Sequence, residues 1–398
     1  SSDVCSSDLL LCLMLLVAIG VFSTGAGLAM TMGGDMKKAT PYDVSYVKYF
    51  PEDEKNSEVK TDMRKEFESK GIDMNKFVDK SCMISTRLYG KLKFKIFLNG
   101  RDKLVDYPKG VKASMEKSSP EIIGLSDYNE AMRKQGKQTI SLKSDEYAVN
   151  CNFENMRKLW EDVCKDRVEI KMDGRALTAK SSMIDSTYYS ASSLPMDMGT
   201  LIVPDDVAEK IPVHTVVYNC QLKGDAEENT HKLSKLMESV YPNKTMEERN
   251  KAPYHTAIYR VEMIEQSAGL STVITYIAIY IGAVFLITCA AVLALQQLSE
   301  NSDNVERYNL LRKIGADERM INHAMLAQIV IYFMVPLSLA LVHSYIGVKV
   351  ASNVISTLGN VNAFNGILAS GGAILVIYGG YMLATYLGSK AVIKDKNR

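Results

Sequence analysis

Four apolar segments limit what this chain can fold into. They lie at residues 9–31, 273–295, 321–346 and 367–387, and no Asp, Glu, Lys or Arg occurs in any of them. A helix needs about 20 apolar residues, at roughly 1.5 Å rise per residue, to cross a hydrocarbon core of about 30 Å. Each segment is long enough, so the sequence predicts four transmembrane helices.

The start of the chain has two interpretations. The stretch DVCSSDL at residues 3–9 resembles the translation of a sequencing adapter, so we interpret residues 1–8 as non-coding. A short polar tail is the alternative. The apolar stretch of residues 9–31 exceeds the core of a usual signal peptide and no basic residue precedes it, so we interpret it as a retained first span.

Basic residues beside the apolar segments predict the orientation in the membrane. Those between the second and third segments, and those after the fourth, are Arg307, Arg312, Lys313, Arg319, Lys390, Lys394, Lys396 and Arg398. The connection between the third and fourth segments holds only Lys349. Because basic residues collect on the cytoplasmic side, we expect residues 32–270 to lie outside the cytoplasm.

Residues 32–270 are too many for a loop and predict a folded domain. Their patterns predict strands at 42–50, 91–98, 168–171 and 212–222 and helices at 55–70 and 225–240. The polar residues 181–193 predict a surface connection. The fold class is therefore a membrane protein with four transmembrane α-helices and a large α+β extracytoplasmic domain inserted between helices 1 and 2.

The chain shows no recognisable catalytic machinery. It has no HExxH, GxSxG or phosphate-loop motif, and its five histidines are scattered singly. With 47 basic and 46 acidic residues, its net charge of +1 gives no global attraction to nucleic acid. We expect no enzyme activity, no catalytic, cofactor-binding or metal-ligating residues, and no nucleic-acid partner.

Four cysteines fall in the predicted domain, namely Cys82, Cys151, Cys164 and Cys220. No pair has CxxC spacing, and a domain of this size does not need disulfides to be stable. Disulfides and free thiols therefore both remain open.

Small and polar residues predict contacts between the spans. Gly380, Ala384 and Gly388 recur every four residues in the last segment, which predicts a helix-packing face. The general abundance of small residues in membrane helices explains each of them singly. Gln328 is polar within the third segment and predicts a hydrogen bond to a neighbouring helix.

Residues 303–315, between the second and third segments, predict a short amphipathic helix. Apolar residues recur there at intervals of three, at Val305, Tyr308, Leu311 and Ile314. Gly315 is expected to end this helix, and Asp317 to cap the next one. An apolar stripe among charges is typical of a docking surface. A helix that rests on lipid headgroups has the same composition, so both interpretations stand on the residues alone.

Two stretches carry a resemblance to a known family. The run ERYNLLRKIGA, residues 306–316, resembles the signature E-R…LLR-x-[IL]-G-A of FtsX-like permeases, the MacB type of ABC transporter. Residues 125–151 are similar to the external domain of bacitracin-export-type permeases of Gram-positive bacteria, which are linked to antimicrobial peptide resistance. The order of one span, a large external domain and an FtsX-like domain at residues 271–398 is similar as well.

This resemblance implies a permease subunit in the bacterial cytoplasmic membrane, in contact with lipid. In that family the short helix is a coupling helix that rests in a groove of a separate cytoplasmic ATPase, which binds the ATP. The implied coupling residues are Glu306, Arg307, Tyr308, Leu311, Lys313, Ile314, Gly315 and Ala316. A sensor histidine kinase is a further implied partner, and antimicrobial peptides or lipid-like molecules are the implied substrates.

Some points stay open at this stage. Many permeases of the family have two four-span blocks, so we expect this chain to be a C-terminal half. A membrane sensor that signals to a cytoplasmic partner without transport is the alternative function. A membrane-anchored hydrolase is a third candidate, which the missing catalytic motifs disfavour.

Overall fold

The computed structural model describes most of the chain in two compact units. It covers residues 14–21, 25, 36–50, 62–105, 109–184, 187–192, 197–242, 245–303, 305–355 and 364–395. The first unit lies within Gly33–Ala268 and holds the strands, and the second holds the long helices from Gly269 onwards together with the start of the chain. Residues 1–8 and most of the predicted first span, 9–31, lie outside the described residues.

A nine-stranded mixed sheet organises the first unit. Its strands are β1 Val44–Tyr49, β2 Val78–Leu88, β3 Glu121–Gly124, β4 Glu146–Asn150, β5 Glu169–Met172, β6 Arg175–Ala179, β7 Thr200–Val203, β8 Val213–Leu222 and β9 Thr256–Tyr259. The spatial order is β5-β6-β4-β7-β3-β2-β8-β1-β9. The β3–β7 and β4–β6 pairs are parallel, and the other neighbours are antiparallel.

Helices connect the strands of this unit. They include α1 Met63–Ser69, α2 Lys95–Leu98, α3 Lys109–Lys117, α4 Leu125–Lys134, α5 Glu154–Lys165, α6 Asp205–Ala208, α7 Ala226–Val240 and α8 Met246–Lys251. The Asp225 carboxylate accepts the backbone N–H groups of Glu227 and Glu228 at the start of α7. Thr245 and Glu248 form a capping box at the start of α8. Such caps satisfy N–H groups that have no partner inside the helix.

Both faces of the sheet are buried, and the alternation of side chains along each strand shows this. On β1, Tyr46 packs into a core with α1 and α7, whereas Val47 packs into a different core with α4. On β7, Leu201 packs into the core that contains α5, whereas the next residue, Ile202, packs into the core that contains α4. Because successive strand residues point to opposite faces, helices cover the sheet on two sides.

The predicted strands at 42–50, 168–171 and 212–222 overlap β1, β5 and β8. The predicted helix at 225–240 overlaps α7, and α1 is the described part of the one predicted at 55–70.

The strand predicted at 91–98 is wrong. Residues Lys95–Leu98 form helix α2 instead, and Phe97 packs against Trp160 with ring centroids 4.8 Å apart. This contact joins residues about sixty positions apart, and burial against a distant partner overrides a local strand pattern.

The connection predicted at 181–193 is irregular in its described residues, as expected, but most of them are partly buried rather than fully at the surface. Ala191 is 3% exposed, and its backbone N–H donates to the Ser45 hydroxyl over 3.0 Å. The Tyr189 hydroxyl donates to Glu121. Contacts with two distant strands therefore hold this polar stretch against the sheet.

The four cysteines of the predicted domain are buried free thiols. Of the two alternatives, disulfides and free thiols, the structure therefore contains free thiols. Burial raises the pKa of the Cys164 thiol to about 11, so this side chain is a neutral thiol near pH 7.

Four helices form the described part of the second unit beyond residue 260. They are α9 Arg260–Asp303, α10 Val305–Lys313, α11 Glu318–Ile355 and α12 Phe364–Asp395, and the boundary between the units falls inside α9. Among the described residues, Arg260–Glu300 and Glu318–Val350 are long and apolar enough to cross a membrane. The predicted fourth span lies within α12, and the count of four spans stays a prediction.

The small-residue face of the last predicted span packs at one end only. A Cβ added at Gly388 would lie 3.3 Å from the Leu298 side chain of α9. Gly380 and Ala384 are exposed in this chain. A second close approach involves Gly25, where an added Cβ would overlap that of Ala278.

Gly199→Ala should destabilise the sheet unit more than Gly174→Ala. Both glycines have positive φ, 134° and 80°, so alanine is strained at either position by about 1–3 kcal/mol. A Cβ at Gly199 would also overlap the Trp160 indole, whereas nothing lies within 4 Å of one at Gly174. Overpacking adds about 1–3 kcal/mol. Thermal unfolding followed by Trp160 fluorescence measures both variants, and equal midpoints would contradict the expectation.

Candidate functional site

Helix α10 is fixed to its own unit along one side. Val305 and Tyr308 are 4% and 7% exposed and belong to the apolar core that also contains Ile321, Met325 and Ile329 of α11. Burying two side chains of this size on one short helix contributes about 1.5–3 kcal/mol each. The position of α10 is therefore determined by packing.

A polar network extends this attachment to α9. The Tyr308 hydroxyl donates to Gln328 Oε1 over 3.4 Å, and Gln328 Nε2 donates to Glu300 Oε1 over 3.3 Å. Glu300 also accepts from Tyr332 at 3.3 Å and from Gln297 at 3.0 Å. This network of hydrogen bonds joins α9, α10 and α11 around the Glu300 carboxylate. The predicted hydrogen bond of Gln328 to a neighbouring helix is confirmed.

Sequence reasoning missed Glu300. The second predicted span ends at residue 295, but α9 continues through the polar residues that follow it to Asp303. Gln297 is fully buried, and its Nε2 donates to the Glu300 carboxylate, which lies three residues further along the same helix face. The available signal was this spacing together with the polar residue Gln328 in the facing helix.

The end of α10 is sharply defined. Gly315 has a φ of 95°, the Ala316 N–H donates to the Leu311 carbonyl, and the Gly315 N–H donates to that of Arg312. This pair of bonds is a Schellman motif, which glycine favours because it has no Cβ. The Arg312 guanidinium donates to Asn309 and to Glu318 at the start of α11. These contacts hold the turn between α10 and α11.

The outer side of α10 carries exposed apolar side chains. Leu310, Leu311 and Ile314 are 60%, 41% and 80% exposed, and we call these three residues the α10 patch. Exposed charges surround it at Glu306, Arg307 and Lys313. An apolar centre with a charged rim has the composition of a protein–protein contact surface.

The structure separates the predicted coupling residues into two groups. Those at the surface are Glu306, Arg307, Leu311, Lys313, Ile314 and Gly315. Tyr308 is buried, and Ala316 is partly buried against the helical core. The single apolar stripe of the sequence analysis is therefore corrected: Val305 and Tyr308 attach the helix, and Leu310 joins Leu311 and Ile314 outside.

One group in the described residues has side chains of the kind that ligate metals. Glu227, His231 and Glu265 place their ligand atoms within 4.8 Å of one another. All three are exposed, and exposed acidic groups of this kind are common without an ion. We assign no metal to them.

Two of the described helices are long and apolar enough to cross a membrane, and one known relative of the chain is a permease. The chain is similar to the bacitracin export permease protein BceB of Halalkalibacterium halodurans, with 26% identity over 174 residues. The aligned part makes up 42% of this chain and spans about a quarter, 25%, of that relative's length. No protein-family model matches the chain.

Gly315→Val should loosen the end of α10, whereas Gly315→Asn should be tolerated. A β-branched residue is strongly disfavoured at a φ of 95°, but asparagine enters this region at little cost. Hydrogen–deuterium exchange of residues 309–316 in the full chain measures the effect. We expect at least tenfold faster exchange for valine than for asparagine, and equal rates would contradict it.

Glu300→Leu should loosen α10 from a distance. The substitution leaves the donors of Gln297, Gln328 and Tyr332 without their shared acceptor, and a buried donor left unpaired costs about 1–3 kcal/mol. Hydrogen exchange of residues 305–313 should become faster. Glu300→Gln is the matched control because it keeps one acceptor oxygen, so it should show a clearly smaller change. Unchanged protection in the leucine variant would show that the network does not hold α10.

Proposed function

We propose that the chain is the permease subunit of an ABC transporter of the FtsX/MacB type, and that α10 is its contact with a separate cytoplasmic ATPase. The α10 patch carries this proposal. Three large apolar side chains are exposed on a helix whose other side is firmly attached. The FtsX-like signature at residues 306–316 and the permease relative support the same assignment.

The attachment of α10 makes it suitable for transmitting force. Movement of a partner bound at the α10 patch would shift Tyr308, and Tyr308 is joined to α11 by Gln328 and to α9 through Glu300. Packed and hydrogen-bonded elements of this kind move together as a body. The proposed coupling therefore passes from α10 into both neighbouring helices.

Helix α9 is the proposed connection to the sheet unit. It begins directly after β9 ends at Tyr259 and contains 44 residues. At roughly 1.5 Å per residue, that is about 66 Å of continuous helix. A tilt or rotation of α9 driven from α10 would thus reach the sheet by a covalent route.

The remaining assignments follow from this role. We place the sheet unit outside the cytoplasm because basic residues collect in and beside α10, which connects two of the predicted spans. ATP would be bound by the partner, and this chain would supply no catalytic group. The relative is named for bacitracin export. We propose that the complex exports antimicrobial peptides or lipid-like molecules. A sensor histidine kinase is a further proposed partner.

Two other occupants of the α10 patch lead to different functions. Arg307 and Lys313 beside the patch would also suit anionic headgroups, in which case α10 rests on the membrane. A signalling partner without ATPase activity would make the chain a sensor. The identity of the molecule that touches Ile314 separates these cases.

Replacing patch residues should release the ATPase. A photo-crosslinking amino acid at position 314 of the full chain, activated in native membranes, should trap a protein with an ATP-binding cassette. Leu311→Asp and Ile314→Asp should lower recovery of that ATPase with the purified chain at least tenfold, because a charge would be buried in the apolar centre of the contact.

Ile96→Asp is the matched control, since Ile96 is an exposed apolar residue of the sheet unit with 43% exposure. It should leave recovery of the ATPase unchanged. Crosslinks to lipid alone, or to a protein without an ATP-binding cassette, would overturn the assignment.

A further inference from the structure

Positive charge is concentrated in one stretch of the sheet unit. Residues 91–117, which include α2 and α3, contain eight basic and three acidic residues, a net charge of +5. The basic residues are Lys91, Lys93, Lys95, Arg101, Lys103, Lys109, Lys112 and Lys117. The whole chain carries only +1, so the residues outside this stretch sum to −4. The coupling role proposed for α10 makes no use of this asymmetry.

Hydrogen bonds join α2 and α3 into one surface. The Phe94 N–H, just before α2, donates over 3.0 Å to the carbonyl of Ser118, which follows α3. Further along both helices, Lys112 Nζ donates to the Asp102 carbonyl over 2.8 Å and pairs with the Asp102 carboxylate at 2.9 Å. Both helices also contribute side chains to the core around Trp160. Packing and hydrogen bonds therefore fix their position.

This surface exposes two large apolar side chains. Ile96 of α2 and Val111 of α3 are each 43% exposed. In the described part of the sheet unit, Tyr49 is the only other large apolar side chain that is exposed. Two of these three residues therefore fall within the basic stretch. Exposed apolar groups with a polar rim are typical of an interaction surface.

Four lysines of the stretch lack an acidic partner among the described residues. They are Lys91, Lys95, Lys103 and Lys117, all exposed. None of them forms an ion pair with a described acidic side chain, whereas Arg101 and Lys112 do. We call these four lysines, together with Ile96 and Val111, the α2–α3 surface.

Basic and apolar groups lie close together on the α2–α3 surface. A lysine directly precedes Ile96 in the chain. The ion pair between Lys112 and Asp102 holds Lys103, the residue after Asp102, near the part of α3 that contains Val111. Each exposed aliphatic side chain therefore has a lysine beside it.

We propose that the α2–α3 surface binds a membrane surface that contains anionic lipid. Lysines are attracted to anionic headgroups, and each lysine near such a surface raises the affinity about fivefold. Exposed aliphatic side chains enter the boundary between headgroups and acyl chains. The α2–α3 surface offers both kinds of group at once.

Other partners match this combination less well. Contact surfaces between proteins are depleted in lysine. Proteins that bind single-stranded nucleic acid stack bases on aromatic side chains, whereas Ile96 and Val111 are aliphatic. A soluble acidic polymer would use the lysines but would gain nothing from these two residues. The sheet unit is also joined directly to α9, which is long and apolar enough to cross a membrane.

Binding to separate vesicles tests the proposal without reference to the orientation of the chain. The full chain in zwitterionic lipid nanodiscs is mixed with sucrose-loaded vesicles, which sediment while nanodiscs stay in solution. We expect the chain to sediment with vesicles of phosphatidylglycerol and phosphatidylcholine, but not with phosphatidylcholine alone. Raising the ionic strength from about 0.1 M to about 1 M should weaken binding at least tenfold, because the screening length falls from about 10 Å to about 3 Å.

Replacing lysines of the α2–α3 surface should weaken vesicle binding. The double variant Lys91→Gln and Lys95→Gln should bind anionic vesicles at least tenfold more weakly, since each lysine contributes about fivefold. The matched control is Lys80→Gln with Lys171→Gln, which removes the same charge at exposed lysines of β2 and β5. The control should leave binding unchanged.

Two substitutions at Ile96 test the apolar contribution in opposite directions. Ile96→Ser should weaken binding to anionic vesicles at least threefold, because it removes an aliphatic side chain from the contact. Ile96→Trp should strengthen binding, because tryptophan favours the boundary between lipid and water. A misfolded variant would not bind more tightly, so the second result separates a direct contact from a folding defect.

Several results would overturn the proposal. These are equal sedimentation with phosphatidylcholine vesicles, equal effects of the two pairs of lysine substitutions, or no effect of either pair. Unchanged binding in both Ile96 variants would show that charge acts alone, as it would on a soluble acidic polymer. None of these results depends on whether α10 binds an ATPase.

Discussion

Tyr308 is held in the helical unit by burial and by its hydrogen bond to Gln328. That double attachment determines the rotation of α10 about its axis, and the rotation determines which side chains face outwards. Leu310, Leu311 and Ile314 are exposed because Val305 and Tyr308 are not. The proposed contact surface is thus a consequence of an interior contact, and the α10 patch would be rearranged by any change that released the tyrosine.

The ends of α10 were predictable because they depend on local chemistry. A glycine in the left-handed region closes a helix within a few residues, and Gly315 does so here. The extension of α9 to Asp303 was not predictable in the same way. Its polar residues look like a helix end in isolation, but Glu300 accepts hydrogen bonds from Gln328 and Tyr332 of another helix, and local sequence does not reveal these partners.

The α2–α3 surface was beyond sequence reasoning for a related reason. Its lysines are visible in the sequence, but the hydrogen bond that joins the start of α2 to the end of α3 is not. The polar residues 181–193 looked like a surface connection, since nothing in them shows that Tyr189 reaches Glu121 or that Ala191 reaches Ser45. The patterns of β1, β5 and β8 were readable from their own residues, but the order of the strands was not.

The sheet order has a consequence for biosynthesis. β1 lies between β8 and β9 in the sheet. The first of these strands to be synthesised therefore pairs with the last two strands to be synthesised. About 170 residues must emerge before Val44 can pair with Cys220. Long-range pairing of this kind is slow, and it leaves strand edges exposed to other chains meanwhile. A nascent chain halted before β9 would therefore hold an unfinished sheet that depends on chaperones to stay soluble.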